Sequence, residues 1–329
     1  MYGRRVREVS EMRIFDLHCD TLLEMYLKNK PLSELDGHIN LDRLEKGGAL
    51  VQCFAAFLPT HEVAEEENIK LSPYELFNAM ADLFDAQMSA YPDKIAPARC
   101  LADIRRNAAE GRISAVLTLE DAVLLDGKIE RVDELYSRGV RMAALTWNYE
   151  NSLGFPNSPD PAQHARPLKE FGLEAVSRMN ELGMIVDVSH LSEGGFWSVA
   201  EQSTRPFVAS HSCARALCGH SRNLTDVQLR AIAEHGGVCG VNFYSAFLTG
   251  TSCTANADIV RHMQYIRNAA GIETVALGSD FDGIDCELEL RDYSRLDELI
   301  AAMTRAFTDD EVDLILSGNA LRVFKDAVG

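Results

Sequence analysis

Short apolar runs recur along the chain, each followed by a polar turn and then by a helix-like segment. Eight of these runs read as strands: IFDLHCD (14–20), VQCFAAFL (51–58), SAVLTLE (114–120), RMAALTW (141–147), MIVDVSH (184–190), FVASH (207–211), VCGVNFY (238–244) and VALGSD (275–280). Their near-continuous apolar character suits parallel strands covered on both faces. Between them lie amphipathic stretches. In residues 72–91, Leu76, Met80, Leu83 and Phe84 fall near helical spacing, with Ser72 as N-cap and Pro73 at the first helical position. Residues 102–111, 169–183, 224–237 and 257–271 read the same way, and several of these stretches end in glycine, the expected C-cap. Strand–helix alternation at this count predicts an α/β fold, a (β/α)8 TIM-type barrel occupying residues 1–329 as one domain. A doubly wound open sheet is the rival, but no G-x-G-x-x-G or Walker A loop follows any strand.

The apolar pattern breaks at the ends of the strands. The first carries Asp16, His18 and Asp20 in alternation, so on an extended strand His18 and Asp20 share a face. A buried His–Asp pair is costly unless something compensates it. Strand three ends in Glu120, strand five in His190, strand six in His211 and strand eight in Asp280. Barrels of this kind bring the C-terminal ends of their strands to one mouth, where the chemistry sits. Imidazoles and carboxylates meeting there make a metal-ligand set suited to Zn²⁺, with Mn²⁺, Co²⁺ or Fe²⁺ as alternatives. This is more than one tetrahedral site needs, and a bridging carboxylate would accommodate two metals about 3.5–4 Å apart. Taken singly, each residue has an ordinary explanation. A histidine at a strand end is commonly a hydrogen-bonded rim residue, Glu120 could be a helix N-terminal acid, and Asp280 could be an N-cap.

Bulk properties narrow the partners. The 329 residues are 47% hydrophobic, enough for a large core, and 32 basic against 50 acidic side chains leave a formal charge of −18. A surface that acidic repels nucleic acid and anionic membranes. The start, MYGRRVREVSEMRIF, has no apolar signal-peptide core, no run approaches the length of a membrane span, and the C-terminal NALRVFKDAVG lacks the hydrophobic tail of a GPI signal. A cytoplasmic protein with eight free cysteines is expected. Cys213 and Cys218 lack the second pair that a structural zinc requires.

At these residues the chain resembles the membrane dipeptidase family (renal dipeptidase and its bacterial relatives), zinc peptidases with a (β/α)8 fold of the metallo-dependent hydrolase type. The resemblance rests on DLHCDT near the start, GHINLDRLEKGG-x-x-x-QCFAAF (37–57), LTLED (117–121), DVSHLS (187–192), ASHSCARAL (209–217), HSRNLTDVQL (220–229), GVNFY (240–244), GSDFDG (278–283) and GNALRVF (318–324). It implies hydrolysis of free dipeptides at a site holding two Zn²⁺ ions with a hydroxide between them. His18 and Asp20 would hold one ion and His190 and His211 the other, with Glu120 bridging. Arg222 would bind the substrate carboxylate, Asp280 would serve as the acid/base, and Tyr244 would line the pocket. A homodimer is expected by the same analogy.

Two positions depart from the family pattern. Trp147 stands where mammalian members carry a histidine thought to contact the substrate carbonyl; indole offers one N–H donor and does not titrate. Asp121 follows Glu120 where the family usually has glycine, and would either act on its neighbours' protonation or face away. Another metal amidohydrolase (a deacetylase, cyclic-amide hydrolase or deaminase) is the nearer alternative. Such barrels often open with H-x-H and carry a lysine on the fourth strand, whereas this chain has H-x-D and no lysine in RMAALTW. A non-catalytic barrel binding metals or small peptides is the more distant one.

Overall fold

The structure, a computed structural model, describes residues 14–329. The basic segment before Ile14, on which the reading of no signal peptide rests, lies outside the described residues. Eight parallel strands form the wall: β1 (Ile14–Asp16), β2 (Ala49–Phe57), β3 (Ile113–Glu120), β4 (Met142–Ala144), β5 (Ile185–Asp187), β6 (Ala209–Ser212), β7 (Cys239–Val241) and β8 (Val275–Leu277). Their order is β5-β4-β3-β2-β1-β8-β7-β6, and a parallel bridge between Asp187 and Val208 joins the two ends. The eight expected strands are therefore all present, in a nearly closed barrel. A short strand, Ile95–Pro97, pairs with β3 outside this path.

Helices cover the wall where the periodicity placed them. Pro73–Ala90 begins with a capping box between Ser72 and Glu75 and buries Leu76, Met80 and Phe84. Leu101–Ala109, Glu170–Leu182, Asp226–Glu234 and Asn256–Ala270 match the other four expectations within a few residues. A buried cluster draws on the strands around the barrel, with Phe15, Val51, Val116, Met142, Ile185 and Ala276 among its members. The C-terminal helix Asn319–Ala327 adds Val323 and Phe324 to that cluster, the Phe324 ring standing 6.1 Å from Phe15. No helix among the described residues is long and apolar enough to cross a membrane.

The strands are shorter than their apolar runs. β1 stops at Asp16, β5 at Asp187 and β8 at Leu277, so His18, Asp20, His190 and Asp280 lie beyond the ladder. The alternation argument for His18 and Asp20 is thus corrected: they converge from a loop and not from one face of a strand. Local hydrogen bonding replaces the ladder. The Ala55 N–H donates to the Cys19 carbonyl (2.9 Å), Asp20 N–H to the Phe281 carbonyl (3.0 Å) and Asp280 N–H to the His18 carbonyl (3.2 Å). These bonds keep residues 17–20 seated between β2 and the 278–283 loop.

β6 reaches its site residue by a different route. From Ala209 to Ser212 it advances three positions while β7 advances two, from Cys239 to Val241, which is a one-residue bulge. The Ser210 carbonyl lies so close to β7 and the end of β8 that a Cβ on Gly240 or Gly278 would stand 2.0 or 1.8 Å from it. Only glycine permits this approach.

Candidate active site

Glu120 is the last residue of β3, is 3% exposed, and divides its two oxygens between two sets of imidazoles. Its Oε2 lies 3.2 Å from His18 Nε2. Its Oε1 lies 3.0 Å from His190 Nε2 and 3.5 Å from His211 Nε2. The other two carboxylates gather around His18: Asp20 Oδ2 is 3.4 Å and Asp280 Oδ1 3.7 Å from its Nε2. His18, Glu120 and His211 thus offer donor atoms within one small sphere, and His18, Asp20 and Asp280 within another. All six residues are buried.

Their protonation follows from the surroundings. Burial disfavours charge on His18, but the Glu120 and Asp20 carboxylates more than offset it and hold the imidazole well above its ordinary range. Burial together with Arg222 takes His190 down to about 4, and burial with His18 and Arg222 holds His211 well below its usual value. Burial and the Glu120 charge push Asp20 well up, and burial raises Asp280. Glu120 is the exception: burial opposes its charge, yet His18 and His190 keep it well below the usual carboxylate range.

These donors fit divalent metal ions. Neutral imidazoles with inward nitrogens and buried carboxylates are the donors that zinc takes. Asp20 Oδ1 is buried with no hydrogen-bond partner among the described residues, and His18 Nε2, with three carboxylate oxygens within 3.7 Å, makes no well-aligned hydrogen bond to any of them; poorly satisfied buried polar atoms are costly. The field that draws a proton onto His18 would draw a cation equally. Asp20 stands at the N-cap position of helix Thr21–Lys28 yet makes no capping bond, which leaves its carboxylate for the centre. The backbone at Gly283 closes on the same group: a Cβ there would stand 2.0 Å from Asp20 Oδ2 and 2.8 Å from Asp280 Oδ1.

Several site residues occupy left-handed backbone. His190 (φ 67°) and Asp280 (φ 63°) both do, a conformation that costs an L-residue about 1–2 kcal/mol. Asp121 (φ 65°) does too, a backbone conformation that glycine adopts without strain. Its carboxylate turns away from the imidazoles, accepting from Asn151 Nδ2 at 2.8 Å and Val123 N–H at 3.0 Å, and burial takes it up to about 7.

A cavity of about 310 Å³ opens above Asp20, Glu120, His190 and Asp280. Trp147 and Tyr244 line it together with Leu23, Phe57, Phe247 and Ile284. Trp147 is held by the Phe57 ring at 4.8 Å. Arg222 is buried behind Phe247, whose ring centroid is 5.3 Å from its guanidinium carbon. It donates to the His211 carbonyl (3.2 Å) and the Ser212 hydroxyl (3.4 Å), and its Nε has no hydrogen-bond partner. No carboxylate among the described residues lies within ion-pair distance of it.

Four partners of this site escaped the sequence reading. Asn242 Nδ2 donates to Asp280 Oδ2 (2.8 Å), and Asn148 Oδ1 lies 3.0 Å from His190 Nδ1. Ser279 and Ser210 each immediately precede a site residue, Asp280 and His211. A serine recurs before His190, His211 and Asp280, and that repeat was the available signal for the two serines.

Comparison with known proteins agrees with this geometry. The model of the membrane dipeptidase family (peptidase family M19) matches residues 4–328. The chain is 42% identical over 236 residues, 68% of its length and 86% of the relative's, to an uncharacterized protein in the pqqA 5′ region of Klebsiella pneumoniae. It is 32% identical over 302 residues to the dipeptidase aclJ of Aspergillus oryzae, covering 89% of this chain and 71% of that one. Among solved structures, a metallo peptidase from Rhodobacter sphaeroides, liganded with a phosphinate mimic of the dipeptide L-Ala-D-Ala, superposes with a TM-score of 0.88 at 27% identity. That match covers 96% of this chain and 99% of the other. The barrel, the buried donors at its mouth and these matches lead to one conclusion: the chain belongs to the membrane dipeptidase family, peptidase family M19.

Proposed function

We propose that this chain is a dipeptidase that hydrolyses the peptide bond of free dipeptides with two divalent metal ions, Zn²⁺ in the first instance. The observation that carries the reading is the division of Glu120: one oxygen faces His18, the other faces His190 and His211. His18 and Asp20 would hold one ion, His190 and His211 the other, and Glu120 both. Metals bound there supply a Lewis acid for the scissile carbonyl and lower the pKa of a coordinated water toward ~7.

The protein's own groups do the remainder. Asn242 occupies Asp280 Oδ2 and leaves Oδ1 turned to the centre, where it takes the proton of the attacking water and delivers it to the leaving amine. Arg222, a buried cation with no carboxylate among the described residues in ion-pair contact, is the group that a substrate's C-terminal carboxylate would pair with. Its place beside His211 sets the distance from that carboxylate to the reacting bond, which selects dipeptides over longer chains. Trp147 contributes an apolar wall and one N–H donor, so it shapes the pocket without taking part in proton transfer.

The test is a substrate panel of a dipeptide, the same dipeptide with an amidated C-terminus, and an N-acetyl amino acid. The dipeptide is expected to be cleaved, with turnover lost in chelator. Arg222→Ala is expected to lower kcat/KM for the dipeptide ~10–100-fold, the loss of a charged hydrogen bond of about 1.5–3 kcal/mol, and to leave the amidated substrate nearly unaffected. Equal losses on both would remove the role of Arg222. Cleavage of the N-acetyl amino acid alone would assign the chain to another class of amidohydrolase.

A further inference from the structure

Two buried carboxylates, at the ends of β1 and β5, grip neighbouring segments in the same way. Asp16 accepts from the Ser279 N–H (2.9 Å) and the Ser279 hydroxyl (2.6 Å). Asp187 accepts from the Ser210 N–H (2.9 Å), the Ser210 hydroxyl (2.5 Å) and the Ser189 N–H (2.9 Å). The pairs differ in where the serine oxygen leads next. Ser279 Oγ accepts from the Phe281 backbone N–H at 3.2 Å. Ser210 Oγ stands 2.7 Å from His211 Nδ1.

The direction of that last bond can be deduced. An ionised carboxylate only accepts, and a serine hydroxyl has one hydrogen. Ser210 gives that hydrogen to Asp187, so toward His211 it must accept, and the ring hydrogen sits on Nδ1. Ser189 Oγ, 3.3 Å away, donates to the remaining lone pair of Ser210 Oγ while accepting the His211 backbone N–H at 3.2 Å. His211 is thereby held in the tautomer whose Nε2 lone pair faces the centre. His190 has a weaker hold: its Nδ1 meets Asn148, a solvent-exposed residue.

We infer that Asp187 and Ser210 are positioning residues that fix the tautomer and aim of His211 and so set the affinity of the metal ion held by His190 and His211, with little effect on the ion held by His18 and Asp20. The inference rests on the two-metal reading above. Loss of an outer partner of a metal-bound imidazole typically costs ~10–100-fold in affinity or activity.

The experiment is equilibrium dialysis of metal-stripped protein against buffered Zn²⁺, with thermal melting of the metal-free form. Ser210→Ala is the main variant because it keeps Asp187 bonded to two backbone N–H groups; Asp187→Asn is the second. Wild type is expected to bind two ions per chain. Ser210→Ala is expected to bind one ion with unchanged affinity and the other ~10–100-fold more weakly, with the metal-free Tm preserved. Unchanged affinities in both Ser210→Ala and Asp187→Asn overturn the inference, as does equal weakening of both ions together with a lowered metal-free Tm. Fewer than two ions in wild type overturns the two-metal reading itself.

Discussion

The two halves of the centre are made of different materials. On the β1/β8 side, one imidazole stands among carboxylates, and its residues come from loops that press against each other, with Gly283 against Asp20. On the β5/β6 side, two imidazoles hold their Nε2 atoms 3.0 Å apart, and among the described residues no carboxylate but Glu120 lies within ion-pair distance of them. The first half is electrostatically hungry: its field pulls a proton onto His18. The second is held neutral by burial and relies on hydrogen bonds to aim its lone pairs. One half should therefore capture a cation by charge, and the other by preorganised geometry. Glu120 faces both, one oxygen toward His18 and the other toward His190 and His211.

That asymmetry can be broken at its hinge. Glu120→Gln removes the shared charge while keeping the shape. It is expected to reduce bound metal from two ions to one or none and to lower kcat by more than the ~10–100-fold typical of an outer partner; metal analysis alongside steady-state kinetics measures both. Two ions bound with near-normal turnover would mean that the halves are independent. A smaller effect is expected from Gly283→Ala, which probes the carboxylate half alone. The added methyl would overlap Asp20 Oδ2 at 2.0 Å, so the loop or the carboxylate must move. Misplacement on the scale of 1 Å costs ~10²-fold in turnover, and the ion between His190 and His211 should stay bound. Loss of that ion as well would show the halves to be mechanically coupled.

The wall of the barrel was legible in the sequence because it obeys local rules. Continuous apolar runs such as VQCFAAFL became strands buried along nearly their whole length, and Ser72–Pro73 opened its helix as capping chemistry requires. The mouth was legible only in residue type. His18, Glu120, His190, His211 and Asp280 could be picked out as chemistry at the ends of apolar runs; extended geometry held for Glu120 and His211 and failed for His18, His190 and Asp280, which lie beyond the ladder. His190 and Asp280 turn through left-handed backbone, and His211 is delivered by a bulge. Neither leaves a periodic trace. Asn148, Asn242 and Ser210 were passed over for another reason: short polar residues near strand ends are common, and even where a serine recurs before the site residues only the fold shows which of them touch an imidazole or the Asp280 carboxylate. Asp121 shows the converse. A carboxylate beside Glu120 left two readings open, action on its neighbours' protonation or a side chain facing away, and the structure bonds it to Asn151 and the Val123 N–H as a loop anchor.

The most direct measurement is anomalous diffraction at the zinc edge from crystals of the zinc-loaded chain. The account predicts two peaks about 3.5–4 Å apart, one against His18 and Asp20, the other against His190 and His211, with an oxygen of Glu120 touching each. A single peak, or a pair that Glu120 does not join, would contradict it.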